Sequence, residues 1–287
     1  MRFELKAVLL ALWFAFLTAT SHAQQLQFSL MDKSIIMKRV EASLPKNEAR
    51  EEKIKELFAD AGCNADTVEQ PVKHSATPNV ICRLQGETDE EIVVGAHYDK
   101  VSAGTGTIDN WSGAALLASL YQGLTSQKRR HTFVFVAFTG EEQGLIGSEF
   151  FVKHMSRDEL ARTRAMVNMD TLGLSFTRLW VHRADKNLVA AMLVVSRSMK
   201  LPVGEVDVEE VGTTDSESFA DKHIPSITIH SLTQQTLHVL HSSEDRLQAL
   251  NPDEYYETYH LVQAYLAYLD VKLPSALTDV KTGEKRH

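Results

Sequence analysis

Three apolar runs in this 287-residue chain each stop at ionisable side chains, and that repeated ending constrains the fold more than any other feature. Glu91 to Ala96, with Ile92-Val93-Val94 at its centre, runs into His97 and Asp99. Thr132 to Phe138 runs into Glu141 and Glu142, and Arg164 to Met169 runs into Asp170. Continuous apolar runs of this length read as strands buried on both faces. Strands that all end in His, Asp or Glu place those groups at one edge of a sheet, where open α/β sheets gather ligand sites.

The segments between the strands supply the helices. Asn47 to Ala61 reads as a helix with Asn47 as its N-cap, Ile54, Leu57 and Phe58 on one face, and Gly62 at its end. Thr67 to Val72 and Asn79 to Leu84 read as strands. A Gly-, Ser- and Thr-rich loop over Gly104 to Gly113 leads into a helix over Ala114 to Leu124, and Leu145 to His154 forms another helix. Further along, Leu179 to His182 reads as strand, Lys186 to Met199 as helix, Ser226 to His230 as strand and Pro252 to Leu269 as the last helix. This alternation predicts an α/β fold, a three-layer α/β/α sandwich around a mixed, mainly parallel sheet.

The N-terminus reads as an export signal. Arg2 and Lys6 flank the start of a short apolar run from Ala7 to Thr18, and Ser21-His22-Ala23 places small residues three before and one before a cut at Gln24. The run is well short of the ~20 residues that span a bilayer. Residues 1–23 are therefore expected to be removed, leaving a periplasmic or secreted chain with no stable membrane insertion. Residues 24–274 are read as one domain and 275–287 as a polar tail without a core face. The net charge of −8 argues against nucleic acid, and Lys128-Arg129-Arg130 reads as a solvated loop. Nothing in the sequence sets an oligomeric state. Cys63 and Cys82 are too few for a disulfide-built scaffold, and whether they pair is open. Neither has thiolate zinc-site spacing, so any metal must be held by nitrogen and oxygen.

Asp109, in the glycine-rich loop, and His241, in a late loop, complete a set that can converge on one crevice. Two histidines among several carboxylates suit a zinc-type site. The motifs Gly95-Ala96-His97-Tyr98-Asp99, Asp109-Asn110-Trp111-Ser112-Gly113, Gly140-Glu141-Glu142-Gln143-Gly144, Asn168-Met169-Asp170 and His241-Ser242-Ser243-Glu244-Asp245, in this order, resemble the zinc aminopeptidases with a co-catalytic metal pair. That family also contains glutaminyl cyclases and glutamate carboxypeptidase relatives. The resemblance implies two zinc ions, one held by His97, Asp109 and Asp170 and the other by Asp109, Glu142 and His241, with Asp109 shared. Glu141 would move protons between water and the leaving amine, and Asp99 would accept a hydrogen bond from the far ring nitrogen of His97. His238 competes with His241 for its role, but His241 has the downstream Asp245 that the family pattern requires. The remaining histidines, His230 among them, read as surface or structural residues.

Two positions depart from the family. Ser216 stands where a histidine usually follows the aspartate corresponding to Asp215, and Trp111 replaces a small residue. Trp111 either narrows the crevice or packs against the sheet. The resemblance implies hydrolysis of the first peptide bond of peptides with a free N-terminus. The alternative is a cyclase forming N-terminal pyroglutamate, from which the chain differs in lacking a tryptophan-containing insertion after Glu142. A metal-free binding domain of the same fold would show broken ligand positions, and none is broken. Thr171-Leu172 and Val206 to Glu217 are candidates for the wall that selects the first side chain.

Overall fold

The computed structural model describes residues 28–63, 67–206 and 212–274, so the expected signal segment at 1–23 and the tail at 275–287 lie outside the described residues. Its centre is an eight-stranded sheet of β1 (Thr67–Gln70), β2 (Asn79–Leu84), β3 (Glu91–His97), β4 (Thr132–Phe138), β5 (Thr163–Met169), β6 (Arg178–Trp180), β7 (Gly204–Val206) and β8 (Ser226–His230). The order is β1-β2-β4-β3-β5-β8-β6-β7. The four central strands β4, β3, β5 and β8 run parallel, while β2 joins β4 and β6 joins β8 antiparallel. The sheet is mixed with a parallel core, as the alternation of elements predicts.

Successive residues of a strand face opposite sides, and β3 shows how this builds the layers. Ile92 and Val94 enter a large apolar core covered by α1 (Lys33–Glu41), α2 (Asn47–Asp60), α3 (Ser112–Thr125), α6 (Lys186–Met199) and α8 (Pro252–Lys272). Val93 faces the other way, into a smaller core with Phe138, Phe151 and Phe219 under α4 (Ile146–Lys153), α5 (Arg157–Arg162) and α7 (Ser216–Ala220). Among the described residues no helix is long and apolar enough to cross a membrane.

Several boundaries differ from the sequence reading for local reasons. β1 stops at Gln70, because Pro71 has no N–H for the ladder. Asn47 is not the N-cap of α2: Lys46 takes that position, and the Asn47 side chain instead accepts the backbone N–H of Lys100 at 3.2 Å. Strand β6 lies at Arg178–Trp180 rather than Leu179 to His182. α1, α5, α7 and β7 were not anticipated. Cys63, just past α2, forms a disulfide with Cys82 on β2.

Candidate metal centre

Strands β3, β4 and β5 deliver their ionisable ends to one edge of the sheet. His97 is the last residue of β3 and is paired with Phe138 of β4. Past Phe138, Gly140 takes a left-handed φ of 68°, and a side chain there would meet Ile146 at 2.4 Å. The tight turn this permits carries Glu141 and Glu142. Asp170 follows β5 directly, with its N–H donating to the Ile229 carbonyl at 2.9 Å.

Asp109 stands between two imidazoles. Its Oδ1 is 3.3 Å from His97 Nε2 and its Oδ2 is 3.3 Å from His241 Nε2. His97 Nε2 also lies 3.6 Å from Asp170 Oδ1 and 4.0 Å from Glu141 Oε2, and His241 Nε2 lies 2.9 Å from Glu142 Oε2. Donor atoms of His97, Glu141 and Asp170 fall within 4.8 Å of one another, as do those of His97, Asp109 and Glu142. His238 is elsewhere, exposed and 3.1 Å from Glu244.

Asp99 connects several of these groups. Nδ1 of His97 lies 3.3 Å from the Asp99 carbonyl oxygen and 3.5 Å from its carboxylate, so the backbone is the nearer acceptor. The carboxylate itself accepts the N–H of Glu141 at 3.1 Å and that of Glu142 at 3.3 Å. Asp245 does the same for the neighbouring loop, accepting the N–H of Ile108 at 2.7 Å and of Asp109 at 3.4 Å. The Asp109–Asn110 peptide bond is cis. The Asn110 side chain ties this loop to β5, donating to the Met169 carbonyl at 2.8 Å and accepting the Thr171 N–H at 3.1 Å. Thr214 and Thr171 hydroxyls donate to the two oxygens of Asp170 at 2.8 and 3.1 Å.

Burial and crowding perturb the cluster strongly. Burial opposes charge on His97, but Glu141, Asp109, Asp170 and Asp99 outweigh it and hold its pKa well above the ordinary histidine value. Burial likewise works against ionisation of Asp109, yet hydrogen bonds from His241 and His97 hold it well below the carboxylate range. Glu141 is pushed up to about 10 by burial and by Asp170, Asp215 and Asp109, against the pull of His97. Glu142 rises to about 7 through burial and Asp109. His241 rises to about 9, first through its hydrogen bond to Asp109.

These groups fit a pair of divalent cations. Four carboxylates and the His97 ring, all largely buried, meet the exposed ring of His241, and among the described residues no Lys or Arg comes within ion-pair distance of them. Uncompensated like charges of this kind raise one another's pKa unless a cation offsets them. Glu142 Oε1 is buried without a hydrogen-bond partner, a lone pair for which the protein supplies no donor. The donor set is all nitrogen and oxygen, which suits borderline to hard ions.

A cavity of about 120 Å³ opens against the cluster, its remaining wall formed by Thr171, Trp180, Thr213, Thr228, His230, Leu232 and Leu240. Thr171 and Thr213 come from the two segments expected to form this wall, whereas Leu172 is buried in the core and residues 207–211 lie outside the described residues. His230, read from the sequence as a surface or structural residue, is buried and also borders the cavity. Its Nδ1 accepts the Leu232 N–H at 3.1 Å, and burial lowers its pKa to about 4. Trp111 packs inside and leaves the cavity free: it is fully buried, donating through Nε1 to the Arg39 carbonyl at 3.0 Å. Asp215 is fully buried and outside the cavity wall, its carboxyl raised to about 7 by burial despite His97 and the Ser148 hydroxyl. The Ser216 hydroxyl bonds that of Thr228 at 2.7 Å.

Arg50 is a positioning residue that the sequence reading missed. Fully buried, its guanidinium lies 5.5 Å from the Trp111 ring centre and donates to the carbonyls of Leu44, Tyr98, Thr105 and Gly106 at 2.7–2.8 Å. It thereby ties the loops before Asp99 and Asp109 to α2. The signal was present: Arg50 shares the helical stripe of Ile54, Leu57 and Phe58, where a charged residue needs buried partners.

Comparison with known proteins agrees with this geometry. Aminopeptidase YwaD of Bacillus subtilis is 29% identical over 198 residues, 65% of this chain and 43% of that protein, so the chain spans less than half the length of this relative. The LapA aminopeptidase of Legionella pneumophila superposes with a TM-score of 0.69 at 20% identity, covering 84% of this chain and 71% of that one. A glutaminyl cyclase of Fimbriiglobus ruber superposes with a TM-score of 0.68 at 16% identity, covering 84% and 97%. At these identities the two superpositions establish the shared fold. The sequence model of peptidase family M28 matches residues 79–266, a span that contains His97, Asp99, Asp109, Glu141, Glu142, Asp170 and His241, and the chain belongs to that family.

Proposed function

We propose that this chain is a zinc-dependent aminopeptidase that hydrolyses the N-terminal bond of peptides. The observation that carries the reading is Asp109 placed 3.3 Å from each of two imidazoles, His97 and His241, which in turn face Asp170 and Glu142. His97, Asp109 and Asp170 would hold one ion, and Asp109, Glu142 and His241 the second. Zinc, when bound, supplies Lewis-acid polarisation of the scissile carbonyl and a lowered pKa for water. The chain's own part is proton movement and positioning. Glu141 Oε2, 4.0 Å from His97 Nε2, takes the proton of the attacking water and returns it to the leaving amine nitrogen. Asp99 keeps Glu141 in place through the backbone while holding the His97 ring.

The named relative and one of the structural neighbours are aminopeptidases, which supports peptide substrates with a free N-terminus. The cyclase neighbour matches this chain more closely in length, which keeps pyroglutamate formation as the competing reading. Export is part of the proposal: a Cys63–Cys82 bridge belongs in an oxidising compartment, in keeping with the signal pattern before Gln24. The test is to incubate the zinc-loaded protein with free-N-terminus peptides, glutamine-leading ones included, and weigh the products with and without chelator. Chelator-sensitive loss of whole N-terminal residues is expected. Loss of ammonia alone from glutamine-leading peptides would replace the aminopeptidase by the cyclase.

A further inference from the structure

Two cavities meet at Trp180 and Thr228. The first lies against His97, Asp109, Glu141, Asp170 and His241, and the second continues beyond, bordered by Ala184, Thr214, Ser216 and Arg183. Trp180 and Thr228 are direct partners across β6 and β8, so their side chains share one face of the sheet. Thr228 is held there by its 2.7 Å hydrogen bond to Ser216. The half-buried indole of Trp180 is thus the bulk that separates the two spaces.

We infer that Trp180 is a specificity-determining residue: it closes the pocket for the substrate's first side chain and restricts that pocket to short, uncharged side chains. This rests on the aminopeptidase reading of the site. Among the described residues, the wall apart from the carboxylate and histidine cluster and Trp180 is made of Thr171, Thr213, Thr228, Leu232, Leu240 and His230, with no formal charge in it. His230 is a neutral imidazole, because its Nδ1 uses its lone pair to accept the Leu232 N–H. Among the described residues, the charged groups outside that cluster lie past the indole, and there Arg183 is already paired with Glu217 at 2.7 Å and Asp221 at 2.6 Å. A charged first side chain would lose its water in this pocket and find no partner, and a large aromatic one would meet the indole.

The test measures kcat/KM of the zinc-loaded full chain on a series of peptides that differ only in the first residue: Ala, Leu, Met, Phe, Trp, Lys and Glu. The wild type should process Ala-, Leu- or Met-leading peptides at least about tenfold better than Phe-, Trp-, Lys- and Glu-leading ones. Trp180→Ala should raise the Trp-to-Ala and Phe-to-Ala ratios by about tenfold or more, with bound zinc unchanged. Trp180→Leu, which keeps an apolar side chain and tests the same wall if the alanine variant does not fold, should move the ratios the same way by less. Unchanged ratios in a folded, active variant overturn the inference, as does a wild type that prefers Phe or Trp. No release from any peptide would instead overturn the aminopeptidase reading itself, and this inference with it.

Discussion

The carboxylate of Asp99 accepts the backbone N–H of Glu141 at 3.1 Å, while its own main-chain carbonyl faces His97 Nδ1 at 3.3 Å. One residue thus sets both the ring that would hold metal and the turn that carries the proposed base. Asp99→Ala should therefore act on two readouts at once. The main-chain carbonyl at His97 Nδ1 stays in Asp99→Ala while the carboxylate 3.5 Å from that nitrogen is lost, so metal affinity should fall by less than the roughly 10- to 100-fold that losing the whole partner of a metal-binding histidine typically costs. Here the freed Glu141 and Glu142 amides should also lower kcat after metal is restored by excess zinc. A variant whose kcat recovers fully at saturating zinc would show that Asp99 acts on His97 alone.

Glu141 and Glu142 are adjacent and should fail differently. Glu142 reaches His241 at 2.9 Å and leaves a buried oxygen unpartnered, so Glu142→Ala should lose one bound ion. Glu141→Gln keeps the shape of its side chain but cannot take up a proton. Its zinc content should stay near that of the wild type while kcat falls about a hundred- to ten-thousandfold. Metal analysis beside steady-state kinetics separates the two, and normal turnover in the Gln variant would sink the proposed mechanism.

Arg50 offers a test of how far the site depends on the helix layer. Its guanidinium satisfies four carbonyls, two of them at Thr105 and Gly106 in the loop leading to Asp109. Arg50→Met removes all four hydrogen bonds; Gly106 keeps the Trp111 N–H and Thr105 the Ser43 hydroxyl, but a buried carbonyl left without a partner costs about 1–3 kcal/mol where water cannot reach it. Urea unfolding should show a loss of about 3 kcal/mol or more, and Arg50→Lys, with no planar fork, should recover only part of it. A loss below about 1 kcal/mol would mean that the loop keeps its conformation without Arg50.

The disulfide makes a separate contribution at the other end of α2. Cys63 and Cys82 are 19 residues apart, and closing a loop of that length restricts the unfolded chain by about 3 kcal/mol. Replacing both by serine or alanine should lower the urea midpoint accordingly, with zinc stoichiometry unchanged because neither cysteine touches the cluster.

The parts of this protein legible in its sequence were those whose signal is local. β2, β4, α6 and β8 fall on the residues expected, because an apolar run or stripe bounded by turn residues reports its own limits. The metal-centre candidates were legible because each ends such a run or lies in a recognisable motif. What stayed hidden depends on partners far along the chain. Short β7 exists by pairing with β6, His230 enters the cavity because β6 and β8 pair, and Trp111 is buried because α1 covers it through the Arg39 carbonyl. α1 carries only Ile36, Arg39 and Val40 on its buried side, too few for a clear period. The sequence already favoured His241 over His238 through the downstream Asp245, while the geometry that puts its ring beside Asp109 lies in the loop itself, which turns through a left-handed φ of 53° at His241.

Metal uptake should be coupled to proton release, and the direction follows from the cluster's own titration. The hydrogen bond to Asp109 raises His241 to about 9, the surrounding carboxylates hold His97 well above its ordinary value, and burial with Asp109 lifts Glu142 to about 7. At pH 6.5 His241 is therefore mostly imidazolium, His97 is shifted in the same direction and Glu142 is partly protonated, whereas a ligand must offer a free lone pair. Zinc binding has to expel these protons, so apparent affinity should rise with pH, by up to about tenfold per pH unit for each proton displaced. The slope should ease above about pH 7 as Glu142 ionises and again above about pH 9 as His241 becomes neutral. Calorimetric zinc titrations in buffers of different ionisation enthalpy count the protons directly. An affinity that is flat from pH 6 to 8, with no buffer dependence of the heat, would mean that these imidazoles are already neutral and that the carboxylates do not crowd them as the distances imply.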